Sequence, residues 1–214
     1  VLDAPMDQRL AGSLATVALS AAAGADAVRV HDVAPAVQAA RMSDAITYGW
    51  SDPQPVWTPV YLGLGANLGD PSAAFVSALQ QLGALPGTRV VAHSSLYRTA
   101  PVGVEHQPDY INAVIELKTI VAARALLAAM LNIEHHNGRR RDFAMAPRSM
   151  DLDLLLYGDA TINEDDLQVP HPRMHLRAFT LVPLAEIAPD TVIPAYGRVI
   201  DLLPGVAAQA IARC

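Results

Sequence analysis

The chain has 214 residues, 52% of them hydrophobic and 17% charged, with a formal net charge of −6. That length holds one full domain plus an appendage, or two small domains, and the apolar fraction excludes wholesale disorder. The acidic balance argues against non-specific binding to nucleic acid or anionic membranes. The single cysteine, Cys214, excludes an internal disulfide. An apolar run over residues 14–25 has no basic leader, is interrupted by Ser20 and Gly24, and is too short for a membrane span. These traits predict a soluble cytoplasmic protein.

In chain order, residues 12–23 read as helix, 27–30 as strand and 36–45 as helix. This α-β-α fragment offers one strand, which cannot satisfy its own backbone. Residues 1–47 therefore read as part of something larger, or as a piece that docks on a partner. Residues 48–58 carry Gly49, Ser51, Asp52, Pro53 and Pro55 and form the linker signature. The second domain spans 59–214. In it, 60–64 reads as strand, 71–85 as helix with Pro71 at its start, 89–97 and 110–119 as strands, 122–136 as helix and 150–157 as strand. The order β-α-β-β-α-β is the split unit of ferredoxin-like α+β folds, an α/β sandwich with helices on one face of an antiparallel sheet. A helix over 178–187 and a short element near Val199 are the extra C-terminal parts that cover what remains.

The chemistry concentrates in Pro147-Arg148-Ser149-Met150-Asp151-Leu152-Asp153-Leu154, with Arg139, Arg140 and Arg141 just upstream. Two aspartates at i, i+2 on a strand share one face. Like charges so placed are costly unless a cation lies between them, and magnesium takes one or two carboxylates and completes its shell with water and phosphate oxygens. Guanidinium groups supply the complementary phosphate forks. The combination points to phosphoryl-type transfer from a nucleotide. The alternative is an exposed edge strand whose aspartates face water.

Other segments are weaker alone. Residues 63–69, Gly-Leu-Gly-Ala-Asn-Leu-Gly, follow a strand and precede a helix, but the spacing misses the dinucleotide-binding pattern by one residue. No acidic residue follows between Pro71 and Val104. We read a structural turn in which Asn67 tolerates an unusual backbone conformation. Tyr110 and Asn112 share a strand face, which suits a flat heterocycle or an ordinary sheet. Glu134-His135-His136 cannot converge on one metal, because adjacent helical residues face different ways, and His135 and His136 read as a solvated helix end. His171 sits between Pro170 and Pro172, ahead of Arg177 and Phe179 at a helix start that favours anions.

Taken together, residues 62–69, 97–103, 107–113, 138–141, 147–158 and 169–179 resemble the hydroxymethyl-dihydropterin pyrophosphokinases of folate biosynthesis, in order and spacing, from Pro59 onward. The resemblance implies transfer of pyrophosphate from ATP to 6-hydroxymethyl-7,8-dihydropterin, releasing AMP. It implies that Asp151 and Asp153 hold two magnesium ions and that Arg139, Arg141 and Arg148 act on the phosphates from a mobile closing loop. His171 and Arg177 would touch phosphates, and Leu154 would lie beside ATP. Tyr110 and Phe179 would sandwich the pterin while Asn112, Thr99, Pro101 and Val102 read its edges. One departure stands out: many relatives have Arg-Trp-Gly where this chain has Ala144-Met145-Ala146, so the aromatic lid contact is missing. A non-catalytic pterin- or nucleotide-binding scaffold is the alternative.

Residues 12–15 and 29–33 (Arg-Val-His-Asp-Val) resemble the last units of the dihydropteroate synthase barrel, in which the residues matching Arg29 and His31 bind pyrophosphate. About one-fifth of a (β/α)₈ barrel is present, which implies no synthase activity. The expected partners are thus the two small substrates and, as an assembly partner, a folate-pathway synthase.

Overall fold

The computed structural model describes residues 5, 8–48, 55–101, 107–137 and 150–214. The chain divides into two compact units, Val1–Pro55 and Val56–Cys214. Among the described residues no helix is long and apolar enough to cross a membrane.

The first unit is a pair of helices, α1 (Leu10–Ala22) and α2 (Val33–Tyr48). Gly24 ends α1 at φ +82, where its N–H bonds back to Ala21. Val17 and Ala36 are buried in this unit, and Ser43 donates to the Ala18 carbonyl at 2.6 Å. The strand expected over 27–30 does not form. Its apolar alternation is present, but no described strand lies in this unit to accept its ladder bonds.

The second unit runs β1 (Thr58–Ala66), α3 (Pro71–Gly83), β2 (Thr88–His93), β3 (Tyr97–Thr99), β4 (Tyr110–Thr119), α4 (Ala123–His136) and β5 (Asp151–Tyr157). A hairpin, β6 (Ile162–Asn163) with β7 (Gln168–Val169), then α5 (Ala178–Ile187) follow. A second hairpin, β8 (Val192–Ile193) with β9 (Gly197–Arg198), then α6 (Val199–Leu202) and β10 (Ala212–Arg213) end the unit. The main sheet has the order β10-β3-β4-β1-β5, with β2 also on β4, and every described pair is antiparallel. That is the ferredoxin-like arrangement.

α3 begins where the sequence places it, because the Asp70 carboxylate accepts the N–H groups of Ser72 and Ala73 at 2.9 and 3.1 Å and Pro71 needs no donor partner. The single strand expected over 89–97 is two strands. Ser94 interrupts it, its N–H reaching the Val114 carbonyl and its hydroxyl accepting the Val114 N–H at 2.9 Å.

Both faces of the sheet are buried. Phe75, Ala78 and Leu82 of α3 and Leu126, Met130 and Ile133 of α4 cover Leu62, Leu64, Ile115, Leu152 and Leu154 on one face. Leu181 and Leu184 of α5, with Met174, cover Tyr61, Val114, Leu155 and Leu156 on the other. A β-bulge makes this possible on β5: Tyr61 pairs with Leu156 and Leu62 with Leu154, so Leu155 is the extra residue. Leu155 and Leu156 consequently enter the same α5-side core.

Candidate active site

Since Leu152 and Leu154 of β5 pack against α3 and α4, strand alternation turns Asp151 and Asp153 to the α5 side. Directly opposite them on β1 stand Gly65 and Gly63. Gly65 also pairs with Asn112 of β4, Asn112 with Tyr97 of β3, and Tyr110 with Thr99. The face thus reads, from one edge inward, carboxylates, a glycine strip, then Asn112 with Thr99 and Tyr110. Two inter-strand spacings separate Asp151 from Asn112, roughly 10 Å. A Cβ on Gly65 would stand 3.6 Å from the Asn112 Oδ1, and one on Gly63 would stand 3.4 Å from the Leu155 side chain. The Leu155 side chain thus lies against Gly63, while Gly65 leaves open backbone beside Asn112 on which a flat ligand can lie. Sequence reasoning took these glycines as part of a turn; only Gly69, at φ +72, is in a left-handed conformation.

Asn112 is 5% exposed, and its amide donates to the Thr99 hydroxyl at 2.9 Å. That bond fixes the amide plane and aims its carbonyl oxygen over the glycine strip, an acceptor for a ligand N–H. Tyr110 donates to Gln107 at 3.1 Å, and the same Gln107 oxygen accepts from Asn67 at 3.2 Å. Asn67 is buried and ties the turn to the Tyr110 strand through its side chain, with an ordinary backbone φ. The unusual backbone expected for it does not occur.

At the carboxylate end, His171 is held by its backbone N–H on the Leu155 carbonyl at 2.9 Å. Its Nδ1 accepts the Arg173 N–H at 3.3 Å, so the neutral ring carries its proton on Nε2. Burial pushes the His171 pKa down; Asp153 pulls it up, and Arg177 and Arg173 push it down again. The net shift is downward, and these interactions place Asp153, His171 and Arg177 in one electrostatic neighbourhood. Arg177 precedes the first turn of α5, and its guanidinium lies 5.2 Å from the Phe179 ring.

The structure therefore brings together Asp151, Asp153, His171 and Arg177 on one side and Thr99, Tyr110 and Asn112 on the other, with Phe179 opening α5. Pro101 is partly buried beyond the end of β3. Leu154 is 5% exposed within the α3/α4 core, so its side chain is turned away from the carboxylates. Val102, Arg139, Arg141 and Arg148 lie outside the described residues, as does Ala144-Met145-Ala146.

The sequence reading missed Glu134. It is 1% exposed and accepts the Leu152 N–H at 2.7 Å, between the two aspartates. The signal was available, since Leu126, Met130, Ile133 and Glu134 fall on one helical stripe. His135 and His136 are exposed, as expected.

Two carboxylates over an open floor are the hard-oxygen donor set that magnesium takes. Among the described residues no group of three or more His, Cys, Asp or Glu side chains could hold a metal ion. The pair would leave most of a magnesium shell to water and phosphate, so the residues fit that ion better than an all-protein cage.

The family model for 7,8-dihydro-6-hydroxymethylpterin-pyrophosphokinase matches residues 61–189. The 2-amino-4-hydroxy-6-hydroxymethyldihydropteridine pyrophosphokinase of Methylorubrum extorquens is 46% identical over 136 residues, covering 64% of this chain and 86% of the relative. That of Pseudomonas aeruginosa is 42% identical over 154 residues, covering 72% and 95%. Among solved structures, wild-type HPPK-DHPS of Plasmodium falciparum superposes with a TM-score of 0.57 at 14% identity, covering 72% of this chain and 45% of that chain, a likeness of fold alone. With the matched segment spanning the carboxylate strand, the glycine strip and α5, the chain belongs to the 7,8-dihydro-6-hydroxymethylpterin-pyrophosphokinase family.

Proposed function

We propose that the protein transfers the pyrophosphoryl group of ATP to the hydroxymethyl group of 6-hydroxymethyl-7,8-dihydropterin in folate biosynthesis. The observation that carries this reading is the glycine strip between Asp151/Asp153 and Asn112/Thr99/Tyr110 in a chain so close to enzymes of that name. The floor gives a pterin one end at an amide and a hydroxyl, and brings its hydroxymethyl toward the carboxylates.

In the reaction the pterin hydroxyl oxygen bonds to the β-phosphorus, the bond from that phosphorus to the α,β-bridging oxygen breaks, AMP leaves, and the hydroxyl proton passes to solvent. No covalent enzyme intermediate is needed; the protein supplies position and charge. Asn112 and Thr99 read the heterocycle edge, and Tyr110 and Phe179 supply its two faces. The Nε2 proton of neutral His171 donates to a phosphate oxygen, and Arg177 adds a fixed positive charge at the α5 N-terminus. Arg139, Arg141 and Arg148 bind the triphosphate as bidentate forks. Asp151 and Asp153 would hold magnesium, two ions in this reading, which when bound neutralises phosphate charge and orients the oxygens. The setting is cytoplasmic, where an exposed, unpaired Cys214 stays reduced.

The test is incubation with ATP, magnesium and hydroxymethyl-dihydropterin. Pterin-dependent AMP supports the reading; ADP in its place would make the reaction ordinary phosphorylation, and no product with bound pterin would favour a scaffold.

For residues 1–47 we propose a piece of a dihydropteroate-synthase-like barrel that docks on synthase units. The helix pair leaves Leu19 and Ile46 at 72% and 78% exposure, and a cleft in the same unit is lined by Val17, Val28, Arg29, Val33 and Val37. Deletion of 1–47 with retained AMP release is the expected result; loss of folding refutes this division of the chain.

A further inference from the structure

Outside the site, the densest polar knot among the described residues is built on Glu186, near the end of α5. One carboxylate oxygen accepts the Ser95 hydroxyl at 2.7 Å and the other accepts the Ser95 N–H at 3.0 Å and the Tyr97 hydroxyl at 2.9 Å. The Arg213 guanidinium completes it at 3.5 Å. Ser95 lies in the break between β2 and β3, Tyr97 opens β3, and Arg213 on β10 is the cross-strand partner of Tyr97. One side chain thus fastens α5 to three segments at one sheet edge.

Those attachments coincide with the pterin-reading strand. Tyr97 is 9% exposed and pairs across to Asn112, and Thr99, on the same face of β3, accepts the Asn112 amide. On α5, Phe179 precedes Glu186 by seven residues, two helical turns or about 10 Å, which puts the two on one stripe. α5 packs on β3 and β4. Fixing Glu186 on Ser95 and Tyr97 therefore fixes how far the Phe179 stripe stands from the strands that carry Thr99, Tyr110 and Asn112.

We propose that Glu186 is a positioning residue for the pterin, a latch from α5 to β3 that sets the gap between the Phe179 wall and the Tyr110/Asn112 wall. The assignment rests on the pterin reading of the site. Most of the phosphate end is held apart from the latch, by β5 and by the His171 N–H on Leu155, and Arg177 at the start of α5 is the phosphate group that shares the latched helix, so the latch acts mainly on the pterin.

The experiment measures KM and Kd for pterin and for ATP, with melting temperatures, in wild type, Glu186→Ala, Glu186→Gln and Tyr97→Phe. Loss of charge-assisted bonds of this kind weakens pterin binding by about tenfold in Glu186→Ala and about threefold in Tyr97→Phe. Glu186→Gln, which keeps the length and one acceptor, falls between them. ATP constants stay within about twofold in all three, a split that general loosening of the fold does not produce. Unchanged pterin constants, or equal losses for both substrates, overturn the latch. Should Glu186→Ala fail to fold, Tyr97→Phe decides, since it removes a single hydroxyl. A wild type that does not bind pterin overturns the site reading and the latch together; one that binds with indifferent variants overturns the latch alone.

Discussion

Glu134→Ala is the most informative single perturbation of the site's foundation. The carboxylate is 1% exposed, and the Leu152 N–H it accepts belongs to a residue that is 4% exposed, so no solvent replaces it. Orphaning a buried N–H and leaving a small void costs about 2–4 kcal/mol together. For a unit of this size that lowers the melting temperature by about 4–16 °C and leaves it folded at 25 °C. Leu152 lies between Asp151 and Asp153, so a strand displaced by about 1 Å should also lower kcat by about a hundredfold. Thermal melts and urea titrations give the first quantity, AMP release at saturating substrates the second. Glu134→Gln keeps an oxygen for the Leu152 N–H and should recover most of the stability. Melting within about 1 °C of wild type and undiminished turnover for Glu134→Ala would refute the reasoning.

Three further outcomes follow from the same geometry. Asp153→Ala abolishes pterin-dependent AMP formation while the fold persists, and retained turnover would remove the carboxylates from the chemistry. Gly65→Leu fills the floor beside Asn112 and weakens pterin binding by more than about tenfold, whereas Gly65→Ala, whose Cβ stands 3.6 Å from Asn112 Oδ1, is tolerated; equal effects on titration would refute an open floor. Burial raises the Glu186 pKa, but the Ser95 and Tyr97 bonds and Arg213 outweigh it and hold the carboxyl below its usual value. A depressed folded value stabilises above the unfolded pKa of about 4.3 and is lost as pH falls through the folded one, so melting temperature should drop below that pH and drop less in Glu186→Gln. A variant with the same acid slope as wild type contradicts the assignment.

Local signals carried most of the fold. Pro71 marks a helix start by its own local chemistry, and the period-two pattern of 110–119 gives β4 to the residue. What stayed hidden depends on partners far away in sequence. Ser94 breaks a strand only because Val114 is there to bond it. Gly65 becomes a floor only once Asp151 and Asn112 flank it. The 27–30 segment has strand periodicity, and periodicity alone cannot supply a neighbouring edge. Glu134 was passed over for a different reason: it was weighed only as a metal ligand beside two histidines, although the helical phase shared with Met130 already pointed it inward.

The strand order has a consequence for how the molecule comes into being. β1, the first strand made, waits for β4 and then for β5 before both its edges are paired, and the opposing wall arrives later still with α5. Pairings so widely separated in sequence make the sheet close more slowly than a fold of local contacts. During synthesis the apolar β1 is a bare edge for most of the unit's length, and catalytic competence emerges in one late step rather than by stages.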